Sequence, residues 1–159
     1  MTEHEHTFRY TALRLDELSA ADRRLADCAR QACERSYAPY SHFHVGAAAL
    51  LANGETVCGS NQDNAAFPSG TCAERTAVFY ANAQYPDVAV QTLAIAARNS
   101  EGAFVEAPIS PCGACRQVLL EAEFRQKQPM RVLLCGAREI YVVESVRQLL
   151  PLAFDDTCM

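Results

Sequence analysis

Two stretches, TCAERT at residues 71–76 and SPCGACR at residues 110–116, set the reading of this chain. Each opens a segment of helical composition. Cys72 to Tyr85 stops before Pro86, and Pro111 suits the first turn of a helix running to about Phe124. The second motif follows a loop after VAVQTLAIAA, residues 88–97, whose length and apolarity read as a buried strand. Working outward, FHVGAAALLA (43–52) and ETVCGSN (55–61) read as strands joined by a tight turn at Asn53-Gly54. RVLLC (131–135) and EIYVV (139–143) read as an antiparallel pair, and SVRQLLP as a short closing helix. Upstream, Asp16 to Ser36 has helical spacing, with Ser19 and Asp22 forming an N-cap box, and Pro39 breaks the pattern. The order α-β-β-α-β-α-β-β-α predicts a three-layer α/β/α sandwich. Its mixed five-stranded sheet is covered on both faces, and its last two strands are antiparallel. Residues 1–15 read as a polar, frayed tail, and residues 16–159 as a single domain.

Composition narrows the function classes. A chain of 159 residues, 50% hydrophobic and 21% charged, fits one globular domain with a real core. The longest apolar run, Val45 to Ala52, is far too short to span a bilayer. The N-terminus MTEHEHTFRY shows no basic segment followed by an apolar one, which points away from a signal peptide and from a membrane partner. Eight cysteines in such a chain imply reduced thiols, a cytoplasmic setting, and metal or catalytic use rather than a disulfide framework. A net charge of -5 argues against a nucleic-acid partner, which asks for a basic groove.

The two motifs carry the chemistry. Three thiols are one too many for a disulfide and one too few for a closed four-cysteine site. Three protein ligands with one open position mark a catalytic zinc site. Cys112 and Cys115 at a helix start aim their sulfurs at one point, and Cys72 at another helix start closes the triad. Three thiolates and a dication sum to -1, which opposes ionising water; two helix N-termini, worth roughly +0.5 charge each, offset it. Arg75, one turn along from Cys72, adds hydrogen bonds to sulfur. Glu74 is placed to reach the open position, take a proton from water and pass it to a substrate nitrogen. Two other readings remain open on these residues. PCGAC also suits a thiol redox pair. A zinc-stabilised binding module needs a fourth ligand, for which Cys58, Cys135 or a histidine are candidates. The remaining cysteines, Cys28, Cys33, Cys58, Cys135 and Cys158, read most simply as small core or surface residues.

CAER together with PCGACRQV resembles the small cytidine deaminase family, the form with one catalytic domain per chain. The resemblance runs from about Tyr37 to Phe154 and takes in YAPYSHFHVGAA, GSNQDNAAF and LLPLAF in the family's order. It implies hydrolytic deamination of cytidine and deoxycytidine to uridine and deoxyuridine in pyrimidine salvage, with one Zn²⁺ per chain. It implies Cys72, Cys112 and Cys115 as zinc ligands and Glu74 as proton shuttle. By the same resemblance, the backbone of Ala73 and the carbonyl of Ser110 hold the pyrimidine edge, and Phe43 packs on the base. Asn61 and Asp63 hold ribose hydroxyls, and Phe154 reaches a neighbouring subunit's site within a homotetramer. The chain has His44, Asp63 and Phe67 where the family commonly has proline, glutamate and tyrosine, a set that bears on substrate preference.

Overall fold

The computed structural model describes residues 1–155 and 159; Cys158 lies outside the described residues. Six strands form one mixed sheet: β1 (Thr11–Arg14), β2 (His44–Leu51), β3 (Thr56–Ser60), β4 (Val90–Arg98), β5 (Arg131–Cys135) and β6 (Glu139–Val143). Their spatial order is β1-β6-β5-β4-β2-β3. β4 and β5 run parallel, joined by α3 (Gly113–Gln126), and the other neighbouring pairs are antiparallel. The β2–β3 hairpin turns at Asn53-Gly54, where Gly54 takes φ 88°, a conformation open to glycine.

Alternation along the central strands builds the three expected layers. Ala47 and Ala49 of β2, Leu93 and Ile95 of β4, and Val132 and Leu134 of β5 face α2 (Ala73–Gln84) and α3. The intervening Ala48, Ala94, Ala96 and Leu133 face α1 (Ala20–Ala32) through Leu25, Ala26 and Ala29. The period of two therefore serves both faces, which explains why these strands read as continuous apolar runs. Two glycines let helices approach the sheet. A Cβ on Gly46 would lie 2.1 Å from the Ala29 carbonyl oxygen of α1, and one on Gly59 would lie 2.4 Å from the Ala77 nitrogen of α2. The second contact brings the start of α2 down onto β3, and this seats the functional site.

Three expectations are corrected. The sheet has six strands, not five: Thr11–Arg14, read as part of a frayed tail, pairs antiparallel with β6 as an edge strand. The Tyr10 ring lies 4.6 Å from the Tyr141 ring, so β6 supplies the partner that a short polar segment lacks by itself. The helix expected over 16–36 is divided into a 3-10 turn Leu15–Glu17, then α1, then a 3-10 turn Cys33–Arg35. Ser19 starts α1 anew by accepting the Asp22 N–H at 3.1 Å, which holds Ser19 itself outside the helix. The closing helix is a single 3-10 turn, Val146–Leu149, whose Val146 and Leu149 are buried. No helix among the described residues is long and apolar enough to cross a membrane.

Candidate active site

Both motifs begin their helices with a cysteine. Cys72 is the N-cap of α2 and Cys112 the N-cap of α3, each with extended backbone. Cys115 falls one turn into α3 and is fully buried. The three sulfurs lie within 4.8 Å of one another, and those of Cys72 and Cys112 are 3.8 Å apart. Two sulfurs each about 2.3 Å from one tetrahedral ion stand about 3.8 Å apart, so this donor set fits zinc in both atom type and spacing. The free N–H groups of two helix starts surround it. The Arg75 guanidinium donates to the Cys72 sulfur at 3.7 Å. The Cys72 thiol is held down to about 5, first by the Cys115 S–H donating to it and then by Arg75, while burial acts against both. Cys115, as the donor of that pair, is pushed up, with its burial adding to the effect.

Glu74 is the second residue of α2 and only 4% exposed. Burial pushes its carboxyl up, and the neighbouring Cys72 thiolate adds to the rise. A carboxyl held above its ordinary range is better suited than a free one to accept a proton and return it. It opens on a cleft of about 520 Å³ that is also lined by Phe43, Asn61, Asp63, Ser110 and the thiols Cys72 and Cys112. Ala73, buried as the first residue of α2, places its backbone N–H at the unpaired start of the helix beside these groups.

The far wall of the cleft is held by polar side chains whose structural bonds are not legible in the sequence. The Asn61 side chain accepts the Val45 N–H at 2.8 Å and donates to the Phe43 carbonyl at 2.9 Å. It thereby fixes the entry to β2. Asp63 accepts the N–H groups of Ser41 at 2.9 Å and Tyr40 at 3.3 Å through Oδ2. These bonds, the one from Ser41 first, hold its carboxyl below the usual carboxylate range. The turn they clamp carries His42 at φ 51°, and Phe43 follows it. Phe67 is 76% exposed, with its ring centroid 6.4 Å from that of Tyr40 at the cleft. Phe154 is 59% exposed and is absent from the cleft lining of its own chain; its carbonyl accepts from Gln117 at 2.9 Å. His44 turns away to meet the Ser36 hydroxyl at 2.7 Å. Arg116, passed over in the sequence, donates to the carbonyls of Pro111 and Leu149. Its signal was its position directly after the third thiol.

Comparisons with known proteins place the chain in a family. Residues 19–128 match the family model described as the cytidine and deoxycytidylate deaminase zinc-binding region. A cytidine deaminase of Sporosarcina psychrophila is 42% identical over 125 residues, 79% of this chain and 85% of that protein. One of Halalkalibacterium halodurans is 43% identical over 93 residues, 57% of this chain and 64% of that protein, slightly under two thirds of the relative's length. The crystal structure of a cytidine deaminase from Burkholderia pseudomallei superposes with a TM-score of 0.70 at 36% identity, covering 86% of this chain and all of that one. The counterpart from Mycobacterium tuberculosis gives 0.67 at 31% identity, covering 86% and 99%. The zinc named by the family model is the metal that the Cys72, Cys112 and Cys115 group is suited to hold. A match over most of the chain, a shared fold, and a three-thiol group beside a buried glutamate place it: the chain belongs to the cytidine and deoxycytidylate deaminase zinc-binding family.

Proposed function

We propose that this chain hydrolyses cytidine and deoxycytidine to uridine and deoxyuridine, releasing ammonia, as a step of pyrimidine salvage. The single observation that carries the reading is the buried carboxyl of Glu74 set beside three convergent thiols, two of which, Cys72 and Cys112, line the same nucleoside-sized cleft. Zinc, when held by Cys72, Cys112 and Cys115, supplies the Lewis acidity that ionises water near neutral pH. The chain's own residues do the rest. Glu74 takes a proton from the attacking water, delivers one to N3 of the pyrimidine, and carries another to the departing amine. The C4–O bond forms first and the C4–N bond breaks afterwards; the water's two protons end on N3 and on the departing ammonia, so one water is consumed for each ammonia released.

Binding is assigned to the cleft walls. Phe43 packs on the base, while the Ala73 N–H and the Ser110 carbonyl hold its polar edge. Asn61 and Asp63 hold the ribose, Asp63 through Oδ1. Arg75 spreads positive charge onto the Cys72 sulfur. The catalytic unit is a single domain that takes in the edge strand Thr11–Arg14 together with residues 16–159, assembled as a homotetramer in which Phe154 enters a neighbour's cleft. Its exposure, and its absence from its own cleft, support that assignment. The test is direct: purified chain with cytidine, deoxycytidine and free cytosine, followed by absorbance and by ammonia release. Comparable turnover of both nucleosides and poor turnover of cytosine support the reading; no uridine formation by zinc-loaded protein overturns it.

A further inference from the structure

We infer that Arg116 is a positioning residue: by bridging the Pro111–Cys112 turn to the closing 3-10 turn, it holds the Cys112 sulfur in ligating register. Its side chain folds back along the start of α3. Nε donates to the Pro111 carbonyl at 2.9 Å, and Nη1 donates to the Leu149 carbonyl at 2.8 Å. Its backbone N–H donates to the Cys112 carbonyl at 2.9 Å. One residue therefore holds the carbonyls of both residues that lead the chain into the metal site.

The sequence makes such a brace necessary. Pro108 and Pro111 remove two N–H donors from the approach to the thiols. The Cys112 side chain makes no capping bond to its helix. Among the described residues, the Pro111 carbonyl receives no hydrogen bond except from Arg116. Of the three thiols, Cys112 is the exposed one, whereas Cys115 is locked in the core. Cys112 is thus the ligand whose place depends most on its backbone.

The far end of the brace is fixed. Val146 and Leu149 are buried in the core beneath α2 and α3. The Glu123 carboxylate accepts the Val146 N–H at 2.8 Å and the Ser145 hydroxyl at 2.7 Å. A planar guanidinium reaches two carbonyls in two directions from one rigid group, which a lysine ammonium on a flexible stem does not reproduce.

The inference rests on the reading of the three thiols as the zinc site, and its test needs no substrate. Zinc dissociation constants are measured by competition with a chromophoric chelator, on parent, Arg116→Ala, Arg116→Lys and Arg131→Met. Circular dichroism checks folding in each. Arg131 is another partly buried arginine, and it pairs with Asp22 on the opposite face. Arg116→Ala is expected to bind zinc about 10- to 100-fold more weakly, the usual loss when a partner that orients a ligand is removed. Arg116→Lys recovers only part of it. Arg131→Met melts earlier yet keeps the parent's zinc affinity. Parental affinity in folded Arg116→Ala, within twofold, overturns the inference. Equal weakening in Arg131→Met also overturns it, because affinity would then follow global stability. If Arg116→Ala does not fold, parental affinity in folded Arg116→Lys and Arg116→Gln is the overturning result. A parent that binds no zinc defeats the site reading itself, a separate outcome.

Discussion

The sulfurs of Cys72 and Cys112 stand 3.8 Å apart across 40 residues of chain, each residue the N-cap of its own helix. Two helices that start at one point share two thiolates, and Cys115 one turn further completes the set. Replacing Cys72 or Cys115 by alanine leaves two soft ligands and is expected to bring zinc from one per chain to a small fraction. Elemental analysis of the purified variants checks this, and full metal content in Cys115→Ala contradicts it.

Asp63 is expected to matter twice, for the sugar and for the turn that presents Phe43. Its Oδ2 already holds the N–H groups of Tyr40 and Ser41. Asp63→Ala removes a charge-assisted pair of bonds and is expected to raise KM for cytidine and deoxycytidine alike, roughly tenfold or more, with zinc retained. Steady-state kinetics on both nucleosides decide it. Parental KM values show that neither role is needed.

Much of this site was legible in the sequence because helix starts are local features. Cys72 and Cys112 are N-caps, Pro86 and Pro111 punctuate their segments, and the spacing of CGAC puts Cys115 on the inner side of the first turn. The core strands were legible because a run such as VAVQTLAIAA has no other place than a sheet covered on both faces. What stayed hidden depends on distant partners. Thr11–Arg14 is short and mostly exposed, and only β6 makes it a strand. Asn61 reads as the end of a strand and, by resemblance, as a sugar ligand; its bonds to Val45 and Phe43 emerge only once β2 lies beside it. Arg116 looks like a helix-surface cation until Leu149 returns to meet it.

Phe154 sets a test of assembly. Phe154→Ala is expected to raise the apparent KM by about tenfold, in the range of truncating a buried aromatic contact, and to leave zinc content unchanged. Light scattering is expected to report an oligomer. A fully active monomer contradicts the borrowed-residue assignment.

The Asp22–Arg131 pair ties α1 to the sheet through two bonds, at 2.8 and 3.0 Å. The Arg131 guanidinium holds the Asp22 carboxyl below its usual range, chiefly through these bonds. A carboxylate depressed in the folded state adds stability that is fully present above its unfolded pKa, about 3.9. That stability is lost as pH falls through the folded value. Asp22→Asn is therefore expected to cost about 1–2 kcal/mol at pH 7, and the gap from the parent narrows as pH falls below about 4. Urea unfolding across that range measures it; a gap that stays constant with pH contradicts the pairing.

In the proposed reaction Glu74 moves the protons of a deamination at a three-thiol zinc site. Glu74→Gln keeps the size and burial of the side chain and removes only its acid–base capacity. The decisive measurement is uridine formation from cytidine together with zinc content, in the parent and in this variant. One zinc per chain is expected in both, with turnover in the variant lower by about 10²–10⁴ or more, since one carboxyl serves several proton transfers. Turnover within tenfold of the parent at full zinc content would contradict it.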